Sequence, residues 1–121
     1  FYSDIKYMVN LDMVGQPVKD GEAKILYILG DDENENLRYS FRDSGAILNL
    51  KIIFSEQAKL PFEWWSDHKR FHDAGIPAAF LTGGNMADLH SVTDTEQKID
   101  YDYLESVAYL LYLSLRNLDK R

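Results

Sequence analysis

The sequence predicts an α/β domain with a mixed sheet of about four strands and about three helices. Short apolar runs rich in β-branched and aromatic residues alternate with segments of helical periodicity, which is the pattern of an α/β fold. The segment between the first two predicted strands is too short for a helical crossover, so we expect a mixed sheet rather than a purely parallel one. With 121 residues, the chain has the length of one domain.

Four apolar runs bounded by turn-forming residues predict the strands of this sheet. They are Ile5 to Met13, Ala23 to Gly30, Leu50 to Phe54 and Ile76 to Leu81. The first run is followed by Gly15 and Pro17, and the last by the pair Gly83 and Gly84, which we interpret as a plain turn. The segment from Glu56 to Glu63 is predicted to be a connecting loop.

Two helices are predicted between the strands. The acidic run that begins at Asp31 suits the first turn of a helix, where carboxylates are favoured by the helix dipole. Its apolar side would consist of Leu37, Phe41, Ala46, Ile47 and Leu48. Ser66 is expected to cap a second, short helix through Ala74, which Gly75 ends.

The last helix is predicted from apolar residues that recur at helical spacing. They are Leu104, Val107, Ala108, Leu111, Leu115 and Leu118. Asp102 and Glu105 have the spacing of a capping box, so the helix is expected to begin near Asp100 or Asp102.

Trp64 and Trp65 precede a cluster of polar residues. Tryptophan most often buries a large aromatic surface, so we predict that both belong to the core. The alternative is that they line a substrate pocket.

Charge and composition exclude several classes of function. The formal net charge is −7, with 13 basic and 20 acidic residues, so we expect no nucleic-acid partner. No apolar run approaches the roughly 18 residues of a spanning helix, so we expect no membrane span. The chain has no cysteine, which leaves histidine and carboxylate side chains as metal ligands.

The chain begins without methionine or a signal-like segment and reads as a piece of a longer protein.

The polar residues that need a chemical explanation lie at predicted strand ends. Asp12 lies at the carboxyl end of the first predicted strand. His90 and Asp94 lie in the loop after the fourth strand, and Asp67 lies in the polar segment before that strand. Imidazole and carboxylate together form a ligand set that zinc accepts. The alternative is that His90 is a hydrogen-bonded surface residue and that Asp12 serves solubility. The sequence contains no HExxH motif, no GxSxG motif and no EF-hand calcium loop.

Three motifs in the chain resemble a known enzyme family. NLDMVG at residues 10–15, SDHKRF followed by AGIPAAFLTGG at residues 66–84, and LHSVTDTEQKID at residues 89–100 occur in the family's order. The chain is similar to the carboxyl-terminal half of the co-catalytic di-zinc aminopeptidases, metallopeptidase family twenty-eight, which also contains glutamate carboxypeptidase and glutaminyl cyclase relatives. The resemblance implies that residues 1–121 are a fragment of a zinc-exopeptidase fold whose parent binds two zinc ions and cleaves amino-terminal residues from peptides.

The resemblance also implies roles for individual residues. Asp12 matches a ligand of one zinc ion, and His90 matches a ligand of the other. Asp94 would orient the loop or the imidazole. Asp67 and His68 match a polar pair close to the metals, on the substrate side or behind the ligands.

The family's remaining motifs are absent from these residues. The chain contains neither the His-x-Asp motif of the bridging ligand nor the Glu-Glu pair of the general base. The resemblance places both in a missing amino-terminal half of the same domain. We therefore expect the 121 residues alone to be inactive, to bind zinc weakly or not at all, and to self-associate through surfaces that the missing half would cover. Export from the cytoplasm is implied by the resemblance only.

Two alternatives remain open at this point. The first is a glutaminyl-cyclase-like acyltransferase, which shares an SDH-like segment, although the LHSVTDT stretch favours the peptidase branch. The second is a non-catalytic interaction domain with the same fold, as in the transferrin receptor. Retention of both Asp12 and His90 favours an enzyme over such a domain.

Overall fold

The computed structural model describes residues 4–30, 34–58, 60–61 and 64–120. The acidic residues Asp31 to Glu33, where the first helix was expected to begin, lie outside the described residues. Within the described part, no helix is both long enough and apolar enough to cross a membrane.

The described elements form a five-stranded sheet with helices. The strands are β1 (Met8–Leu11), β2 (Lys19–Asp20), β3 (Ala23–Leu29), β4 (Leu50–Phe54) and β5 (Ala78–Thr82). The α-helices are α1 (Glu35–Gly45), α2 (Ser55–Ala58), α3 (His68–Asp73) and α4 (Tyr101–Asp119), and a 3-10 turn spans Glu96–Lys98. All four predicted strands and all three predicted helices are present, so the α/β prediction is confirmed.

The sheet is mixed, as expected. β1 runs parallel to β5, with Met8 opposite Ala78 and Leu11 opposite Leu81. β5 is antiparallel to β3, which in turn is parallel to β4 and antiparallel to the short β2. β5 therefore separates β1 from β3, and the carboxyl ends of β1 and β5 meet at one edge of the sheet.

One face of the sheet is covered by α1 and α4, which bury the main core. This core contains Leu26, Ile28, Leu37, Phe41, Ala79, Leu81, Tyr103, Val107, Leu110 and Leu118. The Tyr103 hydroxyl donates a hydrogen bond of 2.9 Å to the carbonyl oxygen of Ile25. Burial raises the pKa of Tyr103 far above its usual range, with a smaller contribution from the charge of Asp100. A smaller cluster around Leu29 and Phe80 lies apart from this core.

Helix α4 begins near Asp100 as predicted, but the predicted caps of α4 and α3 are wrong. The side chain that caps α4 belongs to Asp100, which accepts a 3.0 Å hydrogen bond from the backbone N–H of Tyr103, so Asp102 and Glu105 form no capping box. The N-cap of α3 is Asp67 rather than Ser66, and its side chain makes no capping hydrogen bond. Long-range contacts explain both caps. The backbone N–H of Asp100 donates a hydrogen bond to the carbonyl oxygen of Gly15, and the Ser66 hydroxyl donates to the Asp12 carboxylate instead of capping α3.

Two other details differ from the sequence expectations. Part of the predicted loop after β4 is helical, as α2. α1 ends at Gly45, so Ile47 does not continue its apolar side and is 73% exposed. Gly45 allows the end of α1 to pack closely on β4, because a side chain at this position would meet the Ile52 side chain at 2.0 Å. Gly75 follows α3 with φ of +78°, as expected for a glycine that ends a helix.

Candidate metal centre

Asp12 lies where β1 ends at the edge shared with β5. Its backbone N–H donates a 3.2 Å hydrogen bond to the carbonyl oxygen of Leu81, which continues the pairing of the two strands by one residue. The Asp12 side chain is exposed at this rim. The strand pairing therefore fixes the backbone from which the carboxylate extends.

A serine donates a hydrogen bond to one oxygen of this carboxylate, and an asparagine donates to the serine. The Ser66 hydroxyl donates to Oδ2 of Asp12 at 2.8 Å, and Nδ2 of Asn10 donates to the same hydroxyl oxygen at 2.6 Å. Because the amide nitrogen of Asn10 can only donate, the hydroxyl proton of Ser66 is left to point at Asp12. Among the described residues, Oδ1 of Asp12 has no hydrogen-bond donor, so this second oxygen is open to a ligand.

His90 lies in the loop that follows β5. Its backbone has φ of +54°, a left-handed conformation that is uncommon for a residue other than glycine. Asp88 closes the base of this loop by accepting hydrogen bonds from Thr93 Oγ1 at 2.5 Å and Lys98 Nζ at 2.6 Å. These hydrogen bonds, from Lys98 first and then Thr93, lower the pKa of Asp88 below its ordinary value.

Asp12 and His90 line the same small cleft, of about 120 Å³. Its lining consists of Asp12, Met13, Trp65, Ser66, Phe80, Met86, Leu89 and His90. Asp12 and His90, which the motifs singled out 78 positions apart in the chain, therefore lie on one cleft at the carboxyl edge of β1 and β5. Such edges are where ligand sites of open α/β sheets are found.

The other residues predicted for the site lie around this cleft rather than in it. Asp94 lines a neighbouring cleft of about 340 Å³, which shares Met13 and Leu89 with the first. In the described part of the chain, no hydrogen bond joins Asp94 to His90. Asp67 is exposed at the start of α3.

His68 is fully buried between two aromatic rings. Its imidazole stacks on Trp64, with 5.4 Å between ring centroids, and on Phe80, with 4.8 Å. His68 does not line the cleft, but its stacking partner Phe80 does. The structure thus connects His68 to the cleft wall through the Phe80 ring.

The donor atoms of the cleft suit zinc. A carboxylate oxygen with an open coordination side and an exposed imidazole are two of the ligand types that zinc takes from proteins. The hydrogen bond from Ser66 is the kind of outer contact that orients a metal-binding carboxylate. Within the ranges that the structure describes, His, Cys, Asp and Glu side chains form no group of three or more that could hold a metal ion.

Sequence reasoning missed three residues of the site. The prediction that both tryptophans belong to the core is wrong for Trp65, which is 71% exposed and lies on the rim of the cleft. The sequence pattern predicts a helix cap at Ser66 and indicates no role for Asn10. Both lie inside the motifs that carry the family resemblance, and this was the signal that could have identified them.

Comparison with solved structures shows two similar folds. The zinc aminopeptidase BSAP from Bacillus subtilis aligns with a TM-score of 0.71 and 22% identity over 94% of this chain and 28% of its own. The LapA aminopeptidase from Legionella pneumophila aligns with a TM-score of 0.70 and 17% identity over 93% of this chain and 30% of its own. The chain thus spans less than a third of the length of either protein, and the likeness is one of fold.

Comparison with sequences gives the family. None of the curated proteins matches the chain at a significant level. The sequence model of peptidase family M28, however, matches residues 1–114, which is nearly the whole chain. The resemblance seen in the three motifs is confirmed. The chain belongs to peptidase family M28.

Proposed function

We propose that the chain is the part of a zinc-dependent aminopeptidase that supplies one ligand to each of two zinc ions. Asp12 would hold one ion and His90 the other. The observation that carries this proposal is that both side chains line one cleft at the carboxyl edge of β1 and β5. Membership of family M28 and the fold shared with two aminopeptidases support it.

Residues of this chain would orient a metal-binding carboxylate and form an apolar wall for the peptide. Ser66 fixes Asp12 through Oδ2 and leaves Oδ1 open for coordination. Trp65 and Leu89 give the cleft an apolar wall, which suits a substrate side chain. When bound, a pair of zinc ions would activate a water molecule and polarise the carbonyl of the scissile bond.

We propose that the remaining groups come from outside these 121 residues. The sequence contains no His-x-Asp motif and no pair of adjacent glutamates, and the chain spans 28% of BSAP. A bridging carboxylate and a general base would then be supplied by another part of the domain. The 121-residue chain alone should have no peptidase activity, and calorimetric titration should show only weak zinc binding. A stoichiometric, submicromolar zinc site in this chain would contradict the proposal.

Three further residues lie around the cleft, and we propose a role for each. We propose that Asp94, in the neighbouring cleft, lies on the substrate side of the metals. His68 would stiffen the wall through its stacking on Phe80. Asp67, exposed beside Ser66, would also lie on the substrate side.

The decisive experiment compares variants of the full-length protein on an aminoacyl anilide. Asp12→Asn and His90→Ala should each lower kcat/KM by roughly a hundredfold or more, because each would remove a metal ligand. Asp119→Asn, which neutralises an exposed aspartate at the end of α4, should leave the rate unchanged. Wild-type rates in the Asp12 and His90 variants would contradict the proposal. Turnover of an amino-terminal glutaminyl peptide to a cyclic product, without anilide hydrolysis, would instead assign a glutaminyl cyclase.

A further inference from the structure

Helix α4 has an exposed face that carries aromatic and charged side chains. The opposite face is buried against the sheet and α1 through Tyr103, Val107, Leu110, Ser114 and Leu118. On the exposed face, Tyr109 and Tyr112 are 51% and 53% exposed, and their rings stack with 6.3 Å between centroids. Two stacked tyrosines that are each about half exposed form an aromatic patch of the kind that protein interfaces bury.

A groove runs beside the two tyrosines. Its volume is about 610 Å³, and it is lined by Leu48, Glu105, Ser106, Ala108, Tyr109 and Tyr112. Ile47, which precedes the lining residue Leu48 in the chain, is 73% exposed. The groove is therefore large enough for an aromatic side chain of a partner, with an apolar floor on one side.

Opposite charges lie at the two ends of this patch. Glu105 precedes the tyrosines and Arg116 follows them, with the Arg116 guanidinium 5.7 Å from the centroid of the Tyr112 ring. At 100° per residue, Glu105, Tyr109, Tyr112 and Arg116 fall within about 60° of one another around the helix axis. Neither Glu105 nor Arg116 forms an ion pair with any residue that the structure describes.

The spacing of these four residues along the helix stays the same when the helix direction is reversed, and the two opposite charges then exchange places. The midpoint between Tyr109 and Tyr112 is also the midpoint between Glu105 and Arg116, at about 8 Å of axial rise from each charged residue. If a second α4 lies antiparallel across the first, each glutamate faces an arginine and each Tyr109 faces a Tyr112. A two-fold interface requires this kind of self-complementarity.

We propose that the exposed face of α4 is an interface with a second copy of this chain. The copies would be related by a two-fold axis near residues 110 and 111, with Glu105 of each copy paired with Arg116 of the other. The inference rests on the symmetry of charge and aromatic surface along α4, and it does not depend on the proposed peptidase function.

Sedimentation velocity on the 121-residue chain tests this interface over a concentration range from about 10 µM to about 1 mM. The weight-average mass should rise with concentration from 14.0 kDa towards twice that value. Arg116→Glu alone and Glu105→Arg alone should both shift the chain to monomer, because each places like charges opposite one another twice. Combining them should restore association, since the exchanged charges again face opposite ones.

Arg70→Glu is the matched control, because it makes the same charge change at an exposed position on α3. This variant should associate like the wild type. Circular dichroism spectra that coincide for all variants would show that folding is unchanged. A monomeric wild type at every concentration would overturn the proposal. So would association that Arg116→Glu leaves unchanged, which would point to another surface such as the outer edge of β1.

Discussion

Replacing Ser66 with alanine should weaken zinc binding by the full-length protein without removing any proposed ligand. The serine hydroxyl donates to Oδ2 of Asp12 at 2.8 Å and accepts from Asn10 at 2.6 Å. Alanine removes both contacts at once. The Asp12 carboxylate would then be free to rotate, and the half-buried Asn10 amide would lose its acceptor.

The size of the effect follows from the charge on Asp12. A hydrogen bond to a charged group contributes about 1.5–3 kcal/mol, and about 1.4 kcal/mol corresponds to a tenfold change in a dissociation constant. Loss of a group that orients a metal ligand typically weakens metal binding by about 10- to 100-fold. We therefore expect the zinc dissociation constant of Ser66→Ala to rise by about 10- to 100-fold at one of the two sites.

Competition with a chromophoric zinc chelator measures this dissociation constant. Ser66→Thr keeps the hydroxyl and should retain most of the affinity. Ser106→Ala is the control, because that serine lies on α4 and donates to the backbone carbonyl of Asp102. Unchanged zinc binding in Ser66→Ala, alongside strong weakening in Asp12→Asn, would refute the reasoning that the serine orients the carboxylate.

Three further predictions concern the stability of the 121-residue chain. Tyr103→Phe removes the buried hydrogen bond to Ile25 and should lower the free energy of unfolding in urea by about 1–3 kcal/mol; no loss would contradict this. The Lys24 ammonium lowers the pKa of Asp100, so the charged carboxylate stabilises the fold at neutral pH, and this contribution is lost as the pH falls through the lowered pKa. Asp100→Asn, which keeps a capping side chain, should therefore be less stable than the wild type at neutral pH and should lose less stability on acidification; parallel pH profiles would contradict this. Gly84→Ala should lower Tm, because Gly84 has φ of +73° and a methyl group would meet a tyrosine ring at 2.4 Å; an unchanged Tm would contradict this.

The periodic elements of the fold could be predicted from the sequence because local pattern determines them. The four apolar runs became β1, β3, β4 and β5, and the helical spacing of leucines and valine gave α4. β2 and α2 were missed because two- and four-residue elements are too short to show a period. The order of the strands was not predictable from pattern, since it depends on β5 entering between β1 and β3.

The site was predictable only where a motif marked it. Asp12 follows an apolar strand and His90 follows a glycine pair, and the motifs around them resemble those of a family, so both could be named. The role of Ser66 could not be inferred, because its two partners, Asn10 and Asp12, are more than fifty positions away in the chain. Trp65 was assigned to the core from its size alone, whereas its position at the cleft depends on the turn before α3.

Asp12 and His90 are proposed to hold two different zinc ions in one site. A crystal structure of the full-length protein, with anomalous scattering recorded at the zinc absorption edge, tests this proposal most directly. We expect one zinc ion at about 2.0–2.2 Å from an oxygen of Asp12 and a second at about 2.0–2.1 Å from a nitrogen of His90. The two ions should be about 3.5–4 Å apart. Zinc ions bound elsewhere, with neither side chain among their ligands, would contradict the account.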